Sequence, residues 1–586
     1  MNDPRSHGVE ERHLDLLLAE RLGGRRAPDV AAKVAARLEG SRPARRRWQL
    51  RTWLQAACVL LGLMVVAAIR LTMQPDGTAL QQPALGPVVT VSSLQEIAAL
   101  PADADHVRLT LHTPEAVRAL TRLRKLRRLD ASFDVEASFR PRSIERPKFF
   151  PEAARFLGML TSLEQLDISG HAPIRGLEQL ATLQRLTSLR IYYAYLDPAG
   201  LAVLQRLPRL EHLHLEATLR VDQDEPLIDL RDPAYGFVAF LEKGQLRRLT
   251  LTACITDAAG IRAIASNPLE QLHLYGLSRG QRVGRHRNAL EAEAYEAVGV
   301  ISTLRELSLG DSVNEKLRGA FASMPDLVKM DLGGADGLHG TEAGRAIART
   351  PNLRTLGIEG SDIDTAALLG VTEAEGVVEL ELGGYEQMTD EVLAAVARMP
   401  SLRVLAMTIS NRLTDAGMQV LATTKLESFS MGYTKNLSDV GVVGLPRALR
   451  RLRVHQSDFG SRSLARFDQL VELDLTFYPD DGRELFDELA DSAMRGTLRK
   501  LVLRGSVAQF GSLKRLVELP ALRHLDLREC KGELPPDLTM LLRGRGITVH
   551  PPHVREPAQT EVAEIDELLR IVPNPKNPQR GGRRPR

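Results

Sequence analysis

One apolar pattern recurs along most of this 586-residue chain and limits what the chain can fold into. The pattern is L-x-x-L-x-L, with Ile, Val, Met or Phe as substitutes, and a degenerate copy, LRRLDA, starts at Leu126. The other copies start at Leu163, Leu186, Leu210, Leu246, Leu269, Leu304, Leu327, Leu353, Val377, Leu402, Leu426, Leu449, Leu470, Leu498 and Leu522. Most starts lie 21–28 residues apart, so the spacing predicts a repeat array rather than a single compact core.

The spacing within each repeat predicts a strand followed by a helical return. The last two apolar positions alternate as in a strand, so they point into a shared core while the residues between them point outward. The return has helical spacing, as at Leu201, Leu204 and Leu207, and phrases such as Thr414-Asp415-Ala416-Gly417 precede it. Thr or Asp at that place can cap the first helical turn. Stacked neighbours then bury an apolar edge that no single repeat can bury.

These repeats resemble the leucine-rich-repeat family over roughly residues 105–550, and the TDAG phrase resembles its bacterial and cysteine-containing variant. The resemblance implies an α/β solenoid with a curved parallel sheet and a helical outer face. We expect one transmembrane helix to precede this solenoid, on the separate ground of an apolar stretch described below. The ninth position of a repeat holds Asn or Cys in this family, and Cys254 and Cys530 occupy it here. We therefore expect both cysteines to be buried turn residues.

Composition excludes several classes of function. The net charge is +3, from 77 basic and 74 acidic residues, so no global basic field predicts a nucleic-acid partner. The three cysteines, Cys58, Cys254 and Cys530, are far apart, which argues against a disulfide framework or a zinc site. The chain has no GxxxxGK[ST], G-x-S-x-G or HExxH motif. We therefore predict neither enzymatic activity nor a small-molecule cofactor or metal.

The apolar stretch Trp53–Met73 is predicted to be a single transmembrane helix. Its 21 residues would rise about 31 Å, which matches a hydrocarbon core of about 30 Å. A buried globular helix is disfavoured by the polar flanks. A cleaved signal peptide is disfavoured because about 50 residues precede the stretch and no clear cleavage site follows it.

Flanking charge predicts the orientation of this span. Arg70 follows it, whereas a cluster of arginines precedes it: Arg42, Arg45, Arg46, Arg47 and Arg51. The positive-inside rule then places the N-terminus in the cytoplasm and the repeats on the extracytoplasmic side of a membrane, which we expect to be bacterial.

The remaining segments complete the predicted organisation. Residues 1–52 form a basic cytoplasmic region, and its two short helical patterns loosely resemble segments that precede the span in some bacterial membrane-anchored regulators. They would either dock a cytoplasmic partner or lie on the membrane. Residues 74–104 are predicted to be a linker and N-terminal cap, and HVRLTL, which starts at His106, is predicted to be the edge strand of the sheet. The repeat domain covers 105–550, and a disordered tail covers 551–586.

Three repeat intervals are too long. The intervals that start at Leu126, Leu210 and Leu269 are 37, 36 and 35 residues, and each excess follows the strand. We therefore expect three loops on one rim, a placement that often marks a binding face. Residues 132–150 are aromatic and basic, and residues 216–232 are acidic. Residues 278–287 are basic and include Arg279, Arg282 and Arg285. The loops would either bind a partner or pair with one another.

Outward strand positions near these loops are predicted to form a partner-binding surface on the concave face. Aromatic and histidine side chains are typical of interface hot spots and cluster at these positions. The residues concerned are Tyr192, Tyr193, His212, His214, His273 and Tyr275. A metal held by the three histidines is disfavoured, because no carboxylate or cysteine spacing supports it.

These features together predict a membrane-anchored leucine-rich-repeat protein that binds a protein or another macromolecular partner through its extracytoplasmic solenoid. Two alternatives remain. In the first, the chain is a transmembrane signalling regulator whose residues 1–52 act on a cytoplasmic factor. In the second, the 275–303 insertion contains an enzyme site.

Overall fold

The repeats form the part of the chain that the computed structural model describes. That part comprises residues 86–551 except 111–112, 132–150, 170–172, 175, 193–194, 197, 217–235, 253–255, 276–291, 311–314, 336, 384–386, 409–411, 433–436, 456–460, 477–482, 506–509 and 531–532. All of these residues belong to one unit, Ala84–Arg586. The predicted regions 1–52 and 53–73 lie outside the described residues, as does nearly all of 551–586. No helix within the described ranges is long and apolar enough to cross a membrane.

A parallel sheet of 19 strands runs through the described residues, with neighbours paired in chain order. Its strands are β1 Val89–Val91, β2 His106–Leu109, β3 Arg128–Ala131, β4 Gln165–Ser169, β6 Ser188–Tyr192, β8 His212–Glu216, β9 Arg248–Thr252, β10 Gln271–Tyr275, β11 Glu306–Leu309, β12 Lys329–Asp331, β13 Thr355–Gly357, β14 Glu379–Gly383, β15 Val404–Thr408, β16 Ser428–Gly432, β17 Arg451–His455, β18 Glu472–Thr476, β19 Lys500–Val502, β20 His524–Asp526 and β21 Thr548–His550. Two further strands, β5 Pro173–Ile174 and β7 Tyr195–Leu196, form a separate parallel pair.

Helices follow the strands, as the spacing predicts. The α-helices are Leu94–Ala99, Pro114–Leu120, Pro151–Leu157, Pro198–Ala202, Phe237–Leu241, Ala258–Ala265, Ala292–Gly299, Glu315–Ala320, Thr341–Ala348, Thr365–Val371, Asp390–Val396, Asp415–Met418, Asp439–Val443, Arg483–Asp491 and Pro536–Gly544. The 3₁₀ helices are Leu177–Thr182, Val203–Arg206, Phe321–Ser323, Gln419–Thr423, Ser461–Arg466, Ala493–Gly496 and Phe510–Glu518. The predicted helical return at Leu201, Leu204 and Leu207 is therefore part α-helix and part 3₁₀ helix, and Leu207 follows its end.

One continuous core lies between the sheet and the helical returns. The register pairs the inward leucines of neighbouring repeats, as in Leu166 with Leu189 and Leu189 with Leu213. These three side chains are buried, and similar columns of Leu, Ile, Met and Phe extend along the sheet. Each repeat therefore contributes a layer that its neighbours cover, which is how a solenoid buries apolar surface without a globular centre.

The predicted helix caps are confirmed, and they also join neighbouring repeats. The side chains of Thr389 and Thr414 cap their helices by accepting from the amides of Val392 and Gly417. Asp390 then accepts from the amide and hydroxyl of Thr414 in the next repeat, at 2.9 and 2.6 Å. A Cβ at Gly417 would lie 2.0 Å from Asp390 Oδ1, so this close approach requires glycine. The Thr-Asp-x-Gly phrase thus encodes a contact between repeats as well as a cap.

The predicted edge strand is wrong. Strand β2 contains the HVRL part of the predicted HVRLTL strand, but β1 pairs with it through Val89 with Val107 and Val91 with Leu109. The V-T-V sequence of β1 alternates apolar and polar residues, so it supplies one more layer to the core. At the other end, β21 is the last strand, as predicted, and pairs with β20.

One of the two predicted turn cysteines falls within the described residues. Cys530 is buried and not in a disulfide, and its sulfur lies 2.8 Å from the carbonyl oxygen of Leu503 in the preceding repeat. Ser361 occupies the same repeat position and is also buried, and it donates to Ile358 O at 2.9 Å. The expected buried turn residue is therefore confirmed for Cys530, while Cys254 lies outside the described residues.

Candidate functional site

The side of the sheet away from the apolar core carries mostly polar side chains, and we call it the polar face. Its residues form three rows across the strands, which β8 defines as His212 in the first row, His214 in the middle row and Glu216 in the last row. The register aligns each row from strand to strand, as Ser188, His212 and Arg248 show for the first row. Neighbouring positions in a row are separated by about 4.8 Å.

The structure brings five of the predicted site residues onto this face within four neighbouring strands. Tyr192 lies on β6, His212 and His214 lie on β8, and His273 and Tyr275 lie on β10. All five alternate with buried residues, so they point the same way. The other predicted residues, Tyr193, Arg279, Arg282 and Arg285, lie outside the described residues, and their roles stay predictions.

Two ring contacts organise this group, which we call the Tyr/His patch. The rings of Tyr192 and His214 are 4.5 Å apart between centroids, and His214 Nε2 lies 3.4 Å from Glu216 Oε2. The rings of His273 and Tyr275 are 6.4 Å apart in an edge-on arrangement. Strand β9 separates the two contacts and presents Thr250 between His214 and His273. The patch therefore consists of two aromatic pairs on either side of one strand.

Tyr275 extends the patch toward the following strands. Its hydroxyl contacts Ser308 Oγ and donates to Asp331 Oδ2 at 3.3 Å, and Ser308 Oγ donates to the same carboxylate oxygen at 3.0 Å. The tyrosine ring is held along the face by this network and does not rotate freely. Ser308 and Asp331 are not among the residues predicted from the sequence. The available signal was their outward position on β11 and β12, where they continue the middle row in register with His273.

The environment of His212 favours the neutral imidazole. Burial, the largest cause, and the nearby positive charges of Arg248 and Arg190 together lower the pKa of His212 to about 4, and the carboxylate of Glu270 opposes this shift only in part. His212 is therefore uncharged at neutral pH and can donate one hydrogen bond and accept another. Uncharged, it adds no repulsion to the two arginines beside it.

Arginines and carboxylates form an incomplete network at the start of the polar face. Arg108 Nε contacts Asp130 Oδ2 at 2.8 Å. Asp167 is buried, with Arg128 at 3.5 Å and Arg190 at 3.7 Å. Burial raises the pKa of Asp167, and the two arginines oppose this shift without cancelling it. The buried Nε atoms of Arg128 and Arg248 have no hydrogen-bond acceptor. This network was not predicted from the sequence.

The predicted positions of the three insertions are confirmed, while the loops themselves lie outside the described residues. The strands before them end at Ala131, Glu216 and Tyr275, and the next helices begin at Pro151, Phe237 and Ala292. All three insertions therefore start at the carboxyl ends of parallel strands. Glu216 pairs with Thr252, and Thr252 pairs with Tyr275, so the second and third insertions start at one level of the sheet and close to the patch.

The groups needed for a metal centre are not assembled in the described ranges. No cluster of three or more His, Cys, Asp or Glu side chains there could hold a metal ion. His214 and His273 are two strands apart, which corresponds to about 10 Å along the row. That separation is too large for both to ligate one ion directly, since zinc–nitrogen bonds are about 2.1 Å long. The arrangement suits a broad surface contact better than a point ligand.

The repeat sequence, the single parallel strand in each repeat and the helical returns define a leucine-rich-repeat fold. Comparison with protein-family models and with curated proteins finds no match.

Comparison with solved structures finds several similar proteins. One is a leucine-rich-repeat protein of Leptospira interrogans, with 15% identity and a TM-score of 0.35, covering 79% of this chain and 99% of that one. Another is an internalin from Listeria monocytogenes, with 15% identity and a TM-score of 0.31, covering 62% and 88%. A third is TLR13 in its complex with ssRNA13, with 16% identity and a TM-score of 0.34, covering 75% and 79%.

Proposed function

We propose that this chain is a binding protein that recognises a protein partner through the Tyr/His patch on β6–β10. The observation that carries the proposal is the grouping of Tyr192, His214, His273 and Tyr275 into two ring contacts on one face. His214 and His273 keep 24% and 32% of their side-chain surface exposed, so the patch is held in place yet open to contact.

The side chains of the Tyr/His patch are suited to binding because they are already restricted in the free protein. Aromatic rings offer large contact areas with few rotatable bonds, and such residues dominate interface hot spots. The ring contacts and the Tyr275–Ser308–Asp331 network already restrict these side chains. Binding would therefore lose little conformational entropy, and the parallel strands provide a rigid base.

The recognised surface should extend beyond the patch, because a stable protein interface needs about 800 Å² on each partner. The insertions after β8 and β10 start at its rim. The first is acidic and the second is basic, so both could supply further contacts. We therefore propose that the partner covers the polar face of β6–β10 and reaches the rim where these insertions begin.

Site-specific photo-crosslinking tests this proposal directly. Thr250 lies on β9 between the two halves of the patch, and Thr355 occupies β13 outside it. We would replace each threonine in turn by benzoylphenylalanine, irradiate intact cells and identify adducts by mass spectrometry. A single dominant protein adduct should form from position 250 and not from position 355. Equal adducts from both positions, or none from either, would remove the support for this site.

We also propose that Trp53–Met73 tethers the chain to a membrane with the repeats on the extracytoplasmic side. The apolar length of the segment and the arginines before it support the proposal. Protease added to intact cells or spheroplasts should degrade the repeats, while a tag fused before residue 1 stays protected. Protection of the repeats in intact spheroplasts would contradict the orientation. Release of the chain by alkaline carbonate, without detergent, would contradict the tether.

A further inference from the structure

The first row of the polar face is a continuous set of hydrogen-bond donors from β3 to β10. The six residues are Arg128, Gln165, Ser188, His212, Arg248 and Gln271. None of them is a carboxylate, and the first acidic residue of the row is Glu306 on β11. At about 4.8 Å per strand, the row is about 24 Å long.

Two of these donors are buried without an acceptor. The Nε atoms of Arg128 and Arg248 have no hydrogen-bond partner, although both atoms lie below the protein surface. Arg248 also forms none of the ion pairs found within the described residues, and Arg128 reaches only Asp167, at 3.5 Å. A buried N–H without an acceptor costs free energy that a bound acceptor would recover. This row therefore lacks anionic oxygen atoms as hydrogen-bond acceptors.

Carboxylates close to the row already have partners of their own. Glu164 accepts from Arg127 at 2.7 Å, and Glu270 accepts from Arg247 at 2.6 Å. The neighbouring row contains Asp130, which pairs with Arg108. Rearranging these pairs to satisfy Arg248 would leave another arginine unpaired. The missing acceptors must therefore come from outside the described part of the chain.

We propose that the first row of β3–β10 binds carboxylate side chains on an extended acidic segment of the protein partner. This inference rests on the proposed function and assigns the partner's chemistry. Arg128 and Arg248 are four strands apart, about 19 Å, and an extended peptide covers that distance in about six residues. Residues six apart in an extended segment point to the same side. The segment should therefore carry acidic residues six positions apart.

The charge pattern favours an acidic peptide over a nucleic acid. Asp130 and Asp167 lie in the middle row directly beside the donor row, and a continuous phosphate backbone would lie against both. A peptide can place neutral residues opposite Asp130 and Asp167 and carboxylates opposite the arginines. Oligouridylate binding is accordingly an outcome that would count against the proposal.

The test uses the purified full chain and a fluorescein-labelled 12-residue oligoglutamate, with fluorescence anisotropy as the readout. Oligoglutamate should bind, and an oligoglutamine of the same length should not. Arg248→Gln and Arg128→Gln should each weaken binding about tenfold, as expected for loss of a hydrogen bond to a charged group. Arg451→Gln is the matched control, because Arg451 is an exposed residue of the same row on β17, and it should change the affinity less than twofold.

Further measurements separate an acidic peptide from the other ligands that could bind this row. A serine-rich peptide with two glutamates six positions apart should bind more tightly than the same peptide with the glutamates five apart. Equal weakening by Arg451→Gln, tighter binding of oligouridylate, or no binding of oligoglutamate would each overturn the inference. Unfolding midpoints of all variants identify any variant that has lost its fold, and Arg248→Gln breaks no ion pair found within the described residues. If the crosslink from position 250 forms while oligoglutamate fails to bind, the proposed function stands and only this inference falls.

Discussion

Two largely buried carboxylates on the polar face, one near each end of the sheet, are held in opposite ways. Asp167 on β4 has its two arginines at 3.5 and 3.7 Å, and burial raises its pKa despite them. Burial alone would also raise the pKa of Glu472 on β18. Lys500 at 2.9 Å and Arg453 at 3.1 Å outweigh that effect, so the pKa of Glu472 is lowered. The first region leaves donors incompletely matched, whereas the second satisfies its own charges.

Earlier and later strands of the sheet also differ in the last row of the polar face. Strands β6 and β10 place Tyr192 and Tyr275 there, whereas β14 and β16 place Gly383 and Gly432. A Cβ at position 383 would lie 2.5 Å from both Glu359 Cγ and Thr408 Oγ1. That glycine therefore marks a place already filled by the side chains of its neighbours. The large side chains that project from β6 and β10 therefore have no counterpart at positions 383 and 432.

The largest expected effect tests whether neighbouring side chains fill the space beside Gly383. Gly383→Ala should destabilise the fold by about 3 kcal/mol, because its Cβ would overlap two side chains that are themselves in contact. Gly432→Ala is the control, since its Cβ would make only an ordinary contact of 3.7 Å with His455. Urea unfolding followed by circular dichroism measures both. A similar loss in the two variants would mean that close packing does not distinguish position 383.

The next effect compares the two carboxylates by isosteric substitution. Glu472→Gln should destabilise the fold by about 2 kcal/mol after allowance for solvent screening, because Arg453 and Lys500 lose their shared charge partner. Asp167→Asn should change stability by less than about 0.5 kcal/mol, because burial already disfavours its charge. Equal losses would show that the two networks are equivalent.

The pH dependence of the same two variants should also differ in sign. The folded pKa of Glu472 lies below 4.5, so its stabilisation is present above pH 4.5 and is lost as pH falls through the folded pKa. The folded pKa of Asp167 lies above 3.8, so the folded state takes up its proton first. Wild type should therefore gain stability relative to Asp167→Asn as pH falls toward 3.8.

His212 gives a smaller, pH-dependent effect. Its folded pKa of about 4 lies below the ordinary 6.5, so its contribution is complete above pH 6.5 and is lost as pH falls through 4. Between about pH 7 and pH 4, wild type should lose about 1 kcal/mol more stability than His212→Gln, after allowance for solvent screening. His524→Gln, an exposed histidine of the same row, is the control. A His212 titration near pH 6.5 by NMR would contradict the expectation.

The smallest effect concerns the ring contact within the Tyr/His patch. Tyr192→Leu keeps apolar bulk but removes the 4.5 Å contact with His214, and we expect a loss of about 0.5 kcal/mol in stability. The same variant should lose most of the crosslink that forms from position 250. A full crosslink yield with a normal unfolding midpoint would place the partner's contact elsewhere on the face.

The fold could be predicted from the sequence because the periodicity of apolar residues is a local property of the chain. The spacing of Leu163, Leu166 and Ile168 specifies which residues are inward, and repetition ensures that each layer meets another like it. The helix caps could be predicted for the same reason, since Thr414 and the amide that it caps are three residues apart. The prediction of the edge strand was wrong because β1 lacks the repeat pattern and joins the sheet only by pairing with β2.

The candidate site was predictable only in part. Alternation along β6, β8 and β10 was enough to place Tyr192, His214 and Tyr275 on one face. Their contacts depend on which strands become neighbours and on rotamers, so the pairing of Tyr275 with Asp331, 56 positions later, left no mark in the sequence. The same holds for Arg248, whose Nε lacks an acceptor because of everything packed around it.

The sequence by itself therefore determined the leucine-rich-repeat architecture, the inward and outward assignment of each strand and the points where insertions leave the sheet. Those properties follow from short periods that any window of the chain contains. Only the tertiary structure decided which charges are satisfied. Hydrogen bonds weaken steeply with distance, and that separates Asp167, with arginines at 3.5 and 3.7 Å, from Glu472, which accepts from Lys500 and Arg453 at 2.9 and 3.1 Å.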